Sequence, residues 1–314
     1  MRTLFAMITL FLLLALNGCD SRNTNSYDPV FHGNPHSVQE YVFAIHPLHN
    51  PTRLYENFNP LMEYLNQHIP HVRFKVEASR DYQSFDEKLK NRSVPFALPN
   101  PYQTLIAIDN RYRVIAKIAD DNDFKGIILV RKDSQIRQVA DLKGKAVSYP
   151  APSALAATML PQAYLHSHGL DVNHDIDNRY VGSQESAIMN VYLGNTAAGA
   201  TWPSPWRALG KERPEVQQAL KVMWETETLP NNSVVVRDDV PEALARQVQT
   251  LLTHLHESDE GRDVIQKMGL SAFSSADNRT YDKVKEFITA FSQTVRPLES
   301  VSNDNNPIQQ TPTK

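Results

Sequence analysis

Eleven histidines and one cysteine are the side chains in this chain best suited to metal or covalent chemistry, and their spacing argues against both. His166 with His168, and His254 with His256, stand two residues apart on presumed helices, where such side chains diverge. His46 and His49 share a loop and can converge. No Cys, Asp or Glu constellation accompanies them, so neither a metal nor another cofactor is expected. The sequence contains no Gly-x-Ser-x-Gly elbow and no His-Glu-x-x-His pattern, and its only cysteine, Cys19, sits near the amino end. These features point away from an enzyme.

The remaining unusual residues suit non-covalent recognition. In Trp202-Pro-Ser-Pro-Trp206, two tryptophans separated by prolines can form a rigid aromatic wall for a planar or cationic ligand, or one or both can pack the core. Ser153 stands at the start of an Ala- and Leu-rich helix, where a hydroxyl either caps or touches a ligand. Gln184 and Ser186 have the same ambiguity at another helix start. Asn231-Asn232 can be a plain turn.

The elements that must position these residues follow from periodicity. A strand is predicted over 41–45, then a loop over 46–51. A helix over 53–68 is read from apolar residues at Leu54, Phe58, Leu61, Met62 and Leu65. A strand over 72–76, a helix over 82–90, a strand over 94–98 and a helix over 102–109 complete the first series. This alternation is the grammar of an α/β fold, a mostly parallel sheet with helices on both faces. A second series begins after strands over 112–118 and 126–131 that cross between lobes. It contains helices over 134–142, 152–168 and 183–193, and strands over 145–149, 179–181 and 197–202. Return strands are read over 222–224 and 233–237, and helices over 241–256, 260–268 and 281–291. Parallel-sheet lobes present binding groups at the carboxyl ends of their strands. The cleft is therefore expected at five loops, which carry His46 and Asn50, Tyr102, Ser153 with Ala154 and Leu155, Gln184, and Trp202 with Trp206.

The ends have a different character. Arg2 is followed by an apolar run over 4–16, too short for a span and suited to a leader peptide. Leu16-Asn17-Gly18-Cys19 resembles the bacterial lipobox, in which the cysteine becomes the lipidated first residue; Asn17 departs from that pattern. A lone thiol cannot form an internal disulfide, and lipidation gives it a use. Asp20 after it resembles an inner-membrane retention signal. The expected division is a leader over 1–18, a lipidated tether over 19–38, one lobe from 39–126 plus 230–296, another over 127–229, and a disordered tail over 297–314. The net charge of −3 comes from mixed charges with no basic block, so no nucleic-acid partner is expected.

Several local patterns also occur in a recognisable order: Asp81-Tyr82, Pro99 with Tyr102, Val130-Arg-Lys-Asp-Ser134, Asp141-Leu-Lys-Gly-Lys145, Pro161, and Val181-Gly-Ser183. Together, over 41–291, they resemble the periplasmic substrate-binding proteins of phosphonate and phosphite ABC transporters, two-lobed binders of type II with a ligand cleft between the lobes. The resemblance implies a solute-binding protein of the periplasm, expected as a monomer, which the lipobox and Asp20 would make a lipoprotein anchored at the inner membrane. Such a protein captures a small polar or anionic organic molecule and delivers it to an ABC permease. A sensory domain serving a kinase, or an envelope enzyme, are the alternatives. The resemblance also implies ligand contacts. The family's Ser-Thr-Ser-Gly run falls on Ala154-Leu155-Ala156-Ala157, with Ser153 one residue earlier. The family's histidine falls on Gln184, and its acidic amine partner on Asn232. Tyr102 is the one polar contact kept. The scaffold is retained while its charged ligand-contacting positions have become neutral.

Overall fold

The computed structural model describes residues 38–298; the lipidation site Cys19, the leader, the tether up to 37 and the tail beyond 298 lie outside them. Two mixed sheets flanked by helices make two lobes. The first sheet has the order β11-β4-β10-β3-β1-β2. It is built from β1 (Gln39–Ile45), β2 (Val72–Ala78), β3 (Phe96–Leu98), β4 (Tyr112–Ile118), β10 (Ser233–Arg237) and β11 (Phe273–Ser275). The second has the order β7-β6-β8-β5-β9. It comprises β5 (Lys125–Arg131), β6 (Ala146–Tyr149), β7 (Asp177–Tyr180), β8 (Ala198–Thr201) and β9 (Leu220–Thr228).

Each sheet keeps a parallel core, β2-β1-β3 in one and β7-β6-β8 in the other, extended by antiparallel strands. Apart from β11, which pairs antiparallel with β4 inside the first lobe, the antiparallel pairings involve the strands that carry the chain between lobes. The chain passes from β4 to β5 and returns from β9 to β10. A strand arriving from the opposite lobe meets its sheet edge running the other way, which is why β10 pairs antiparallel with β3 and β5 antiparallel with β8. The predicted run of mostly parallel strands therefore becomes a mixed sheet at these places.

Helix α1 (Pro51–His68) starts where Asn50 accepts a bond from the Arg53 amide and Pro51 occupies a position that needs no N–H. Its buried stripe of Leu54, Phe58, Leu61, Met62 and Leu65 is the one read from spacing. The stripe joins a core that also contains Tyr41, Phe43, Phe74 and Phe96. Phe74 and Phe96 meet edge to face, with centroids 5.6 Å apart. Helices α2 (Tyr82–Lys90) and α3 (Pro101–Asp109) follow β2 and β3. Helix α4 (Leu160–Ser167) grows out of a π-helical turn over Leu155–Met159. The wide turn has a local cause. Pro161 has no N–H and its ring crowds the carbonyl four residues earlier, so the chain before it widens, and the Met159 amide reaches back five residues to the Ala154 carbonyl.

Helices α5 (Gln184–Tyr192), α6 (Pro203–Glu212) and α7 (Pro214–Ala219) complete the second lobe, and α8 (Glu242–Thr253), α9 (Asp259–Met268) and α10 (Asp282–Thr294) the first. The helix predicted over 134–142 reduces to a short 3-10 turn, Val139–Leu142. There the Asp141 carboxylate takes the Arg137 and Gln138 amides and offers the backbone a turn in place of a helix. The loop predicted around Trp202 to Trp206 is the first turn of α6, since Pro203 suits an opening helical position.

Candidate functional site

The carboxyl ends of β1, β3 and β8 open onto the gap between the lobes, and the residues that follow them meet there. His46 follows β1, Asn100 begins α3 after β3, and Trp202 follows β8. Asn232 joins them because β10 runs antiparallel to β3, so its start lies at the same edge. Phe124 arrives in the same way ahead of β5. With Tyr82, Gln184 and the helix start over 154–157, these residues enclose a cavity of about 10 Å³. That is room for about one water molecule with the lobes closed as they are.

The cavity is polar on three sides and carries no formal charge. His46 is buried, and its Nδ1–H donates to the Leu98 carbonyl at 3.0 Å. Burial pushes its pKa down from 6.5 to about 4, against the pull of that hydrogen bond, so the ring is neutral and Nε2 is left as an acceptor. Gln184 is held at both ends. Its Oε1 accepts from the Thr201 hydroxyl at 2.8 Å, and its Nε2 donates across the lobes to the Tyr82 hydroxyl at 3.3 Å. Asn100 also bridges the lobes, donating from Nδ2 to the Ser153 carbonyl at 3.2 Å. Trp202 and Phe124 form the apolar wall, ring centroids 5.7 Å apart.

Asn232 is the exception to good pairing. Its backbone is fixed, since its amide donates to Asn231 Oδ1 at 2.7 Å and its carbonyl accepts from the Ile118 amide at 2.9 Å. Its side chain is 0% exposed, yet neither Oδ1 nor Nδ2 has a hydrogen-bond partner. A buried amide costs about 1–3 kcal/mol when unpaired, which makes Asn232 a candidate ligand contact at the cavity wall.

Of the residues singled out in the sequence, His46, Ala154, Leu155, Gln184, Trp202 and Asn232 are brought together at this cavity. Asn50 is exposed and caps α1; it lines a second cavity of about 30 Å³ farther along the cleft, with Arg53, Ser183 and again Gln184. Tyr102 is turned away. It lies two residues, or about 200° of helical rotation, past the cleft-facing Asn100, and lines a groove of about 380 Å³ between α3 and α10. Trp206 packs the second lobe with Ile127, Leu129 and Leu209. Ser153 does not cap its helix, whose N-cap is Ala154; its hydroxyl instead faces Asp86 of the opposite lobe. Asn231 is more than a turn. Its amide donates to Asp121 and its side chain to the Asp120 carbonyl, pinning the two crossing segments to each other.

Ala156 and Ala157, the end of the run aligned with the family's ligand contacts, also line the cavity, and Tyr82, Asn100 and Phe124 complete it without having been expected there. Asn100 had a usable signal, since Asn before Pro at the end of a buried strand is a strong helix cap located where the cleft must be. Phe124 had none, because only strand pairing brings it there. The large groove at Tyr102 is built by the first lobe alone. The smaller cavity is the candidate site because both lobes contribute to it and it holds the unpaired amide.

Known proteins share this fold. A family model described as the periplasmic substrate-binding protein of phosphonate ABC transporters matches residues 43–281. A probable ABC transporter phosphite-binding protein, PhnD1 of Prochlorococcus marinus (strain MIT 9301), is 19% identical over 186 residues, which is 55% of this chain and 63% of that protein. The chain thus spans somewhat less than two thirds of that relative's length. The solved structure of PhnD1 in complex with methylphosphonate is similar with a TM-score of 0.75 and 17% identity, covering 81% of this chain and 99% of that one. A binding component of a phosphonate ABC transporter from Pseudomonas aeruginosa has a TM-score of 0.74 and 16% identity, covering 82% and 87%. At such identities the structural likeness establishes the fold, a two-lobed binding protein of type II, and the family model establishes descent. The chain belongs to the family of periplasmic substrate-binding proteins of phosphonate ABC transporters.

Proposed function

We propose that the protein is the solute-binding component of an ABC importer, closing its two lobes on one small polar molecule and releasing it to a permease. The observation that carries this reading is the cavity shared by both lobes, with the unpartnered Asn232 amide in its wall. His46, Ala154, Leu155, Gln184, Trp202 and Asn232 are the contacts proposed, with Tyr82 and Asn100 added. The first lobe is taken as 39–126 plus 230–296 and the second as 127–229, hinged at the segments that Asn231 pins. The protein acts by binding and leaves its solute chemically unchanged.

Native mass spectrometry of freshly purified protein tests the reading. One unmodified small molecule per chain is expected, and its loss in an Asn232→Leu variant. A product released from an added substrate would overturn it.

The anchor belongs to the same proposal. A lipidated Cys19 would hold the body at the inner membrane, with Asp20 as the retention signal, and more than one acyl chain makes such an anchor stable. A Cys19→Ser variant should fractionate with the soluble periplasm. Unchanged membrane association would show that the thiol is not the anchor.

A further inference from the structure

We propose that the cleft recognises an uncharged carbonyl group bearing N–H, of carboxamide or urea type, and does not hold a phosphonate dianion. The inference rests on the solute-binding reading and narrows its ligand.

The argument is one of hydrogen-bond inventory. Asn232 presents an acceptor and a two-proton donor, both buried and both unpaired. His46 has spent its only N–H on the Leu98 carbonyl and has a lone pair left to offer. Gln184 has its orientation fixed by Thr201 and donates one N–H to Tyr82, which leaves its second N–H and the Tyr82 hydroxyl hydrogen at that junction. The site thus offers acceptors at His46 Nε2 and Asn232 Oδ1, and donors at Asn232 Nδ2, Gln184 Nε2 and Tyr82.

A ligand that answers this set must both donate and accept. A carboxamide or urea does so from one planar group. A phosphonate dianion only accepts, so it would bury its charge against two lone pairs. No Lys or Arg lines the inner cavity, and Arg53 in the outer one is already paired with Glu212. Charge-assisted bonds are roughly twice as strong as neutral ones, and a dianion entering here gains no cationic partner to offset its desolvation. The helix start at Ala154 to Ala157 supplies no hydroxyl. Its first-turn amides, unpaired within the helix, suit a neutral carbonyl oxygen as well as an anion. The closed cavity of about 10 Å³ admits such a head group only as the lobes part slightly, which is the motion a binding protein of this fold makes.

Titration calorimetry at pH 7.5 on the whole protein, unfolded to strip bound solute and then refolded, tests this with acetamide, urea, methylphosphonate and inorganic phosphate. Saturable binding of an amide probe is expected, at least tenfold tighter than either phosphorus anion. An Asn232→Asp variant, which replaces the N–H pair with a second acceptor, should weaken the amide at least tenfold while the fold, read by circular dichroism, persists. Methylphosphonate or phosphate binding more tightly than both amides would overturn the ligand class and leave the solute-binding reading standing. If no probe binds, the ligand class is likewise overturned. Native mass spectrometry of protein taken directly from cells then separates the two claims, since a carried solute keeps the wider reading and a bare protein ends both.

Discussion

Two of the few buried polar atoms without a partner among the described residues sit on a single side chain, that of Asn232. Leaving an amide unpaired costs about 1–3 kcal/mol, and an apolar group of similar shape removes that cost. An Asn232→Leu variant should therefore melt higher than the parent in the absence of ligand, while losing solute binding. A lower midpoint would mean that the amide is structurally satisfied. Asp86 is a buried carboxyl. Burial lifts its carboxyl from 3.8 to about 6, against the hydrogen bond from Gln103 at 2.6 Å, the charge of Lys90 and the hydroxyl of Ser153. An acid whose folded pKa is raised contributes stability below its unfolded value, and that contribution is lost as pH rises through about 6. The displacement corresponds to roughly 3 kcal/mol. An Asp86→Asn variant, which keeps an oxygen for Gln103, should match the parent near pH 4 and exceed its stability by about that amount above pH 7. Denaturant titrations across this range would show it, and a pH-independent difference would contradict it. His46 runs the other way, since its depressed pKa gives stability above 6.5 that is lost as pH falls towards 4.

Asn100 shows how one side chain can serve an element and the cleft together. Its Oδ1 accepts from the Gln103 amide at 3.0 Å in a capping box, and its Nδ2 reaches Ser153 in the opposite lobe. Serine caps nearly as well but lacks the second donor. Asn100→Ser should leave the melting midpoint nearly unchanged while weakening solute affinity about fivefold, the effect of one hydrogen bond worth about 1 kcal/mol. Asn100→Ala should lose both properties. Equal loss of stability in the two variants would separate the residue from closure. Tight helix–sheet contact gives a second element-scale test. A Cβ on Gly199 of β8 would lie 2.5 Å from Val191 Cγ2 and 2.7 Å from the Ala187 carbonyl of α5. Gly199→Ala should cost about 1–3 kcal/mol, measured by chemical unfolding.

At this scale the sequence was legible wherever one face of an element is buried, as in α1, α2 and β4, because a stripe or alternation survives in the residue order. It was silent on β11, three residues long with no alternation to read, and misleading at 134–142, where the Asp141 side chain outcompetes helix. The π turn was encoded in Pro161, but its consequence depends on the preceding carbonyls and is not a matter of propensity.

Across the whole molecule, the cleft is where local reading stops. Strand-end geometry located His46, Gln184 and Trp202 and extends to Tyr82, which opens α2 after β2, yet Phe124 reaches the cavity only through strand pairing. Family correspondence suggested Tyr102, and the capped start of α3 turns it to another face. Polar contacts between the two lobes include the Gln184–Tyr82 and Asn100–Ser153 bonds, the Arg53–Glu212 and Arg207–Asp123 pairs, the Asn173 side-chain amide donating to the Val295 carbonyl, and Arg296, whose guanidinium donates to Gln162 and to the Pro152 carbonyl. A hydrogen bond contributes about 0.5–1.5 kcal/mol net and an exposed ion pair about 0–1 kcal/mol, so a handful of such contacts lets the lobes separate while the Asn231 pins keep the hinge intact. Small-angle scattering tests this most directly, comparing the protein stripped of solute with the same sample after the small-molecule fraction from its own cells is returned. The radius of gyration should fall on return of the solute in the parent protein and stay unchanged in Asn232→Leu. Superimposable curves for the parent with and without solute would contradict a cleft that closes on its ligand.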